Sequence, residues 1–480
     1  MQSIFGNRTL KNSMLAQASL VGVGTIAAYG LDVLFMPVLS RVYSPEDFGV
    51  LSVTASAVSL LMPFSTMRYY LSIVLPKTRR YTGATIVLSC VLAAIFSFLL
   101  FSILLLFGGR ICTFFGMGKI TDCSLFIPLW IFFYAVFMIF TQLAIRESEF
   151  GLIAETKIIQ SLSDNIVKIC TGMFGMKPFG LFVGTIIGYA SAMSVIIKKL
   201  AGKNGLPGSC VTDVKRAALK YRKFPRYDVL TACINVAGTQ LIPILVFTLF
   251  GARASGFFVA ASKLLIVPLS LLGNGIGQVF LQRAVRAKYE GGLAELTLKT
   301  YKTLLMFTTF PIAIFAIFAP HIFQTLLGAK WLAAGIYCRA LAFYTIFSFC
   351  FMPISFVYSV SNEQDKYMRL EIFYSILGIA VFLLVSRTGN PQFALLCLSI
   401  TAGLGLIFCA YCAMRVVRVD GRNFFKTIGD EIIHTALLCA PVMLFMFLTK
   451  KPWLASLSVP LVSIVYLKRL LREHRNQQTY

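Results

Sequence analysis

Ionisable and hydrogen-bonding residues recur at helical spacing inside stretches that are otherwise apolar. Lys157, Ser161, Asp164 and Lys168 lie 4, 3 and 4 residues apart, which puts them on one face of a helix. Lys263, Ser270, Asn274 and Gln278, spaced 7, 4 and 4, form a second stripe, while Asp32, Arg68 and Arg339 stand singly in other apolar stretches. A charge at the bilayer centre costs about 2.5–3.5 kcal/mol on insertion scales, so such groups face a wet cavity or a partner. Two polar stripes in separate parts of the chain predict the lining of a central hydrophilic cavity. Its cations (Lys168, Lys263, Arg339 and Arg68) outnumber its acids, which favours an anionic cargo through Coulomb attraction in a low-dielectric surround. Asp32, with Asp164 as a second candidate, could carry a coupling proton or hold a sodium ion. Structural readings compete with these. Asp164 and Lys168 are i, i+4 and could neutralise each other, Asp32 could pair with a cation, and Arg68 could snorkel to lipid phosphate. Lys263 has no acid within a turn or two and is the first choice for contact with cargo, with Asn274 and Gln278 extending its face.

Other chemistry has little to work with. The sequence has no G-x-x-x-x-G-K-[ST] phosphate loop and no HExxH or paired Cys/His metal motif, so no cofactor is expected beyond a coupling ion. Cys409 and Cys412 form a C-x-x-C inside an apolar stretch, where small cysteines pack well without redox work. Gly273, Gly275 and Gly277 alternate within another, pointing to close helix contact or local unwinding, not dinucleotide binding. The residues do not suggest an enzyme.

The elements that position these groups are membrane spans. A span needs about 20 mostly apolar residues. Fourteen stretches qualify, at 15–39, 48–75, 82–107, 123–145, 151–175, 178–197, 227–250, 255–281, 300–320, 332–358, 368–386, 391–414, 431–449 and 453–467. Hydrophobic residues make up 58% of the 480 and mean hydropathy is +0.80, which leaves no polar surface for a soluble domain of this size. Arg and Lys crowd every second gap: thirty of the 44 lie in one set of gaps, nine in the other and five within spans. That bias puts both termini in the cytoplasm. On this topology Asp32 lies roughly 13 Å below the outer surface, and Lys263 and Arg339 about 11–12 Å. The net charge of +25 then reflects anionic lipid headgroups as partners and requires no nucleic acid.

The longest polar gap, 198–226, contains Gly202, Gly205, Pro207 and Gly208 and then a basic segment, Lys215–Arg226. It reads as a flexible cytoplasmic linker followed by a surface-lying amphipathic piece. Either side of it the chain repeats weakly: Pro37 precedes Gly49 by twelve residues, and Pro243 precedes Gly256 by thirteen. Such repeats suit transporters whose halves rock about a shared site. The expected organisation is a six-helix lobe at 1–199, a basic linker at 200–226, a second six-helix lobe at 227–414, and a two-helix extension with a basic tail at 415–480. All outer loops are short.

The run Leu39-Ser-Arg-Val-Tyr-Ser-Pro-Glu-Asp-Phe-Gly49 resembles the signature of bacterial polysaccharide flippases, in the multidrug/oligosaccharidyl-lipid/polysaccharide exporter superfamily. Lys220-Tyr-Arg-Lys-Phe-Pro225, Gln240-Leu-Ile-Pro243, Gly256, Pro268-Leu269, Gln278-Val-Phe280, Leu327-Gly328, Trp331 and Ala334-Gly335 fit as well. The chain is similar above all to Wzx-type O-antigen flippases over roughly residues 10–415. The resemblance implies fourteen helices, with two six-helix lobes around a V-shaped cavity, in the bacterial inner membrane. It implies a lipid-linked cargo, an oligosaccharide repeat unit on undecaprenyl diphosphate. Alternating access would carry it from the cytoplasmic to the periplasmic leaflet for O-antigen (lipopolysaccharide) or other surface polysaccharide. A polysaccharide polymerase and a chain-length regulator would be partners, and an acid in the first helix is a coupling site in some drug-exporting relatives. Cation-coupled export of small toxic compounds is the alternative; a glycan polymerase or transferase is disfavoured by the short outer loops.

Overall fold

The computed structural model describes residues 14–114, 121–449 and 458–478, which are mostly helical, with no strand among them. Helices α1 (Met14–Val42), α2 (Pro45–Ser65), α3 (Arg79–Phe114), α4 (Phe126–Arg146), α5 (Phe150–Met173) and α6 (Phe179–Asn204) precede a short helix, α7 (Val211–Lys220). The helical stretch Val229–Glu290 is two helices, because Gly251 at φ +85° breaks it; we number 229–250 α8 and 252–290 α9. Then come α10 (Leu293–Leu327), α11 (Leu332–Ile354), α12 (Gln364–Ser386), α13 (Pro391–Val416), α14 (Gly421–Thr449) and α15 (Val459–Gln478).

Each of the fourteen expected stretches overlaps one of these helices, but 48–75 runs past the end of α2 at Ser65, which leaves Arg68 beyond the helix, and 332–358 runs past the end of α11 at Ile354; α7 is the amphipathic extra. Residues 453–457 of the last stretch, and the charges Arg8, Lys11, Lys119, Lys450 and Lys451, lie outside the described residues. Among the described residues, eleven helical stretches are long and apolar enough to cross a membrane, with Phe224–Glu290 counted once. Polar α5 and basic-tailed α15 are not among them. The chain is an all-α, polytopic membrane protein.

The signature run has a structural explanation. Ser44 caps α2 in a reciprocal box with Asp47: the Ser44 amide donates to Asp47 Oδ2 at 2.8 Å, and the Asp47 amide donates to Ser44 Oγ at 3.2 Å. Pro45 occupies the first turn, where its missing N–H costs nothing. A Cβ on Gly49 would lie 1.8 Å from the Ala252 carbonyl oxygen, and one on Gly256 would lie 1.8 Å from that of Pro45. Only glycine permits so close an approach.

The chain divides into two compact units, 1–256 and 257–480. The sequence puts the division in the 200–226 linker; here α8 goes with the first unit. Phe247 and Ile244 join a core with Val50, Val53, Trp130 and Phe182, and Ser56 Oγ donates to Gln240 Oε1 at 2.9 Å. In lipid, close packing and interhelical hydrogen bonds hold helices together, not apolar burial alone. The second unit centres on Tyr301, Phe347, Cys350, Tyr358, Met414 and Phe424. Cys409 sits in that core, and the Tyr358 hydroxyl donates to its carbonyl at 2.8 Å. Gly273 and Gly277 lie against Met352 and Phe356, so close helix contact explains them without unwinding.

Candidate functional site

Three helices of the first unit build a polar cluster. On α5, Lys157, Ser161, Asp164 and Lys168 form the expected stripe, with Asn165, four residues after Ser161, beside it. The stripe is packed between helices instead of open: Ser161 is 2% exposed and Asn165 1%, and Asp164 and Lys168 are buried. Asp32 Oδ1 on α1 accepts from Ser161 Oγ and Asn165 Nδ2, each at 2.7 Å. Ser161 Oγ also lies 2.9 Å from the Ala28 carbonyl. One turn earlier on α5, Lys157 Nζ donates to Thr25 Oγ1 on α1 at 2.7 Å. Deeper in the stripe, Lys168 Nζ lies 2.7 Å from Asp164 Oδ1 and 2.8 Å from Oδ2. The Tyr43 hydroxyl donates to the Lys168 carbonyl at 2.8 Å.

Glycine spacing on α6 makes the burial possible. Gly180, Gly184 and Gly188 recur every four residues and press against Thr171, Lys168 and Asp164 in turn. A Cβ at Gly184 would meet Lys168 Cγ at 2.4 Å, and one at Gly188 would meet Asp164 Cβ at 2.9 Å. This small-residue stripe lets two helix backbones approach closely and shields the Asp164–Lys168 pair from lipid.

The other expected site residues lie apart from this cluster. Arg68 Nε donates to Asp228 Oδ2 at 2.6 Å, just ahead of α8. Met67 and Arg68 both have positive φ (47° and 57°), a costly turn for non-glycine residues. Arg339 on α11 donates from Nε to the Ala316 carbonyl at 3.2 Å and from Nη2 to that of Ile317 at 3.0 Å. Pro320 has no N–H to offer the Ala316 carbonyl four residues back, so Arg339 satisfies an acceptor that a proline frees. On α9, Lys263 and Ser270 are half-buried, and Asn274 and Gln278 are exposed along the same face. Polar side chains exposed along a membrane helix are what a water-filled path requires.

The sequence reading missed several partners. Asn165 was findable as Ser161 plus four; Thr25, Tyr43 and Asp228 are joined to the stripe or to Arg68 only by tertiary packing. A second buried cluster was missed entirely: Glu431 on α14 accepts from Arg469 on α15 at 3.1 and 2.7 Å, with Thr309 and Thr435 beside it.

Chemically, the Asp32 cluster offers a carboxylate, a hydroxyl and a carbonyl, hard oxygen donors suited to a proton or a small monovalent cation. A group of three or more His, Cys, Asp or Glu fit to hold a metal does not occur among the described residues.

A family profile described as "polysaccharide biosynthesis protein" matches residues 38–336. No curated protein sequence matches the chain. Among solved structures, the lipid II flippase MurJ in an inward closed conformation aligns with a TM-score of 0.70 at 15% identity, over 96% of this chain and 99% of that one. An inward-facing multidrug resistance MATE transporter of the MOP superfamily aligns with a TM-score of 0.59 at 13% identity, over 86% and 99%. The Vibrio cholerae MATE transporter VcmN in the bent form gives 0.53 at 14%, over 89% and 99%. At these identities the likeness is one of fold.

Proposed function

The chain belongs to the polysaccharide biosynthesis protein family, and on that premise we propose that it is a flippase for an undecaprenyl-diphosphate-linked oligosaccharide repeat unit. It would move this cargo from the cytoplasmic to the periplasmic leaflet of a bacterial inner membrane by alternating access, with both termini cytoplasmic. The O-antigen or another surface polysaccharide would be the end product, with a polymerase and a chain-length regulator acting next. The observation that carries the reading is a polysaccharide-family profile on a fold shared, over nearly its whole length, with a flippase of a lipid-linked substrate.

The residues divide the work. Lys263, Asn274 and Gln278 line one face of α9 and supply a cation and amides for a diphosphate and sugars. Asp32 takes the coupling ion. The Ser161 hydroxyl has one proton and two acceptors, Asp32 Oδ1 and the Ala28 carbonyl. With Asp32 ionised it donates to the carboxylate; with Asp32 protonated it turns to the carbonyl and accepts from the acid. Occupancy of Asp32 by a proton or a sodium ion is thereby felt on both α1 and α5.

Surface polysaccharide in a deletion strain, complemented with wild type or Lys263→Ala, tests this. Loss of polymer with lipid-linked repeat units accumulating on the cytoplasmic side, restored by wild type alone, supports the reading. Normal polymer in a deletion strain that has no second flippase defeats it. The MATE-like fold and a carboxylate on α1 favour one second reading, cation-coupled drug export, which predicts lost drug resistance with intact surface glycan.

A further inference from the structure

The segment between α6 and α8 is fastened, where the sequence suggested a flexible link. Arg79 Nη2 donates to the Gly205 carbonyl at 3.0 Å, and Gly83 lies against the carbonyls of Pro207 and Gly208. Arg80 Nε donates to Asp213 Oδ2 at 2.5 Å, and the Tyr69 hydroxyl donates to the Ala218 carbonyl at 3.0 Å. Asp213 and Ala217 are buried by these contacts, so one face of α7 is committed to the bundle at the start of α3.

The opposite face is unusual for a surface helix. Val211, Lys215 and Leu219 follow one another at i, i+4, i+8, and Thr212, Arg216 and Lys220 run alongside. Val211 is 77% exposed and Leu219 70% exposed. Arg222, Lys223, Arg226 and Tyr227 continue the exposed surface to the foot of α8. The two acids of the segment are already matched, Asp213 by Arg80 and Asp228 by Arg68. Lys220 lies over the Tyr81 and Tyr221 rings, and a face that mixes large exposed apolar side chains with cations that the two acids of the segment do not neutralise fits a layer that is both greasy and negatively charged.

We propose that α7 and the turn that follows it form a docking platform for the headgroups of anionic phospholipids. Val211 and Leu219 enter the headgroup–acyl boundary, while Lys215, Arg216, Lys220 and Lys223 hold phosphates. The proposal needs only the membrane placement of the chain, and its readouts are lipid binding, so its failure leaves the flippase reading standing.

The test uses the purified full chain in phosphatidylcholine nanodiscs with and without phosphatidylglycerol. Native mass spectrometry should show phosphatidylglycerol retained preferentially by wild type. Retention should fall at least about tenfold in the variant Lys215→Gln, Arg216→Gln, Lys220→Gln, Lys223→Gln, since each cation near the surface contributes about 1 kcal/mol. Equal preference in that variant overturns the proposal. Should the variant not fold, Leu219→Trp carries the test alone. Its added fluorescence should be quenched by brominated phosphatidylglycerol, whereas quenching by iodide instead, or by neither agent, means that water or another protein covers this face and also overturns it.

Discussion

Two carboxylates in this molecule, one buried and one half-buried, accept from different kinds of donor. On α14, Glu431 is 3% exposed and takes both arms of the Arg469 guanidinium. In the first unit, Asp32 Oδ1 accepts from the Ser161 hydroxyl and the Asn165 amide, which are neutral groups. A guanidinium on two carboxylate oxygens favours the anion more strongly than neutral donors to a single oxygen do. Glu431 therefore reads as a fastener between the last two helices, seated against Thr309 of α10, whereas the coupling role proposed for Asp32 is put to the test by the variants below.

The largest effect should come from breaking the fastener. Arg469→Met leaves Glu431 buried without its cation, and such losses cost about 3–5 kcal/mol. Thermal unfolding in detergent should show a large drop, recovered in good part by the double variant Glu431→Met, Arg469→Met, which removes both charges. A single variant as stable as wild type would erase the contrast, because Glu431 would then not depend on its partner.

Asp32→Asn is the matching change on the other side. The amide keeps size and an acceptor oxygen, so stability should stay within about 1 kcal/mol of wild type. Transport should fall by an order of magnitude or more and lose its response to the driving ion gradient. Stability loss on the scale of Arg469→Met, measured on the same instrument, would make Asp32 a second fastener and remove it from coupling.

How much of this was legible follows from what each feature depends on. Span positions depend on runs of apolar residues, and the Gly251 break on one residue type, so both can be read locally. The α5 stripe was also visible, but its surroundings were not. Lys168 meets Asp164 four residues away, a local pairing, whereas Asp32 meets Ser161 only because α1 and α5 pack together. The same limit applies to Arg339. A cation near the midplane suggests cargo, yet this one caps a carbonyl freed by a proline on another helix. Glu431 and Arg469 were each visible as charges at the edges of spans, with nothing local to join them. Gly180, Gly184 and Gly188 were a local signal that was overlooked.

Arg68 and Asp228 sharpen the comparison from a third side, as a charge pair that is part-exposed instead of buried. Such pairs contribute about 0.2–1 kcal/mol, so Arg68→Asp should barely move the unfolding midpoint. The pair ties the end of α2 to the foot of α8 within the first unit. Charge reversal at either residue should alter flux more than stability, and Arg68→Asp with Asp228→Arg should restore it.

The smallest change tests the hydroxyl between its two acceptors. Ser161→Ala removes a hydrogen bond worth about 1 kcal/mol, so stability should change little and flux should fall by roughly fivefold. Ser161→Thr keeps the hydroxyl and should retain most activity if the added methyl is accommodated beside Ala28. The informative quantity is the dependence of flux on the ion gradient. If Ser161 transmits the state of Asp32 to α5, the alanine variant should show a shallower dependence at every cargo concentration. An unchanged slope with lower flux would leave Asp32 as the coupling group and assign Ser161 to packing alone.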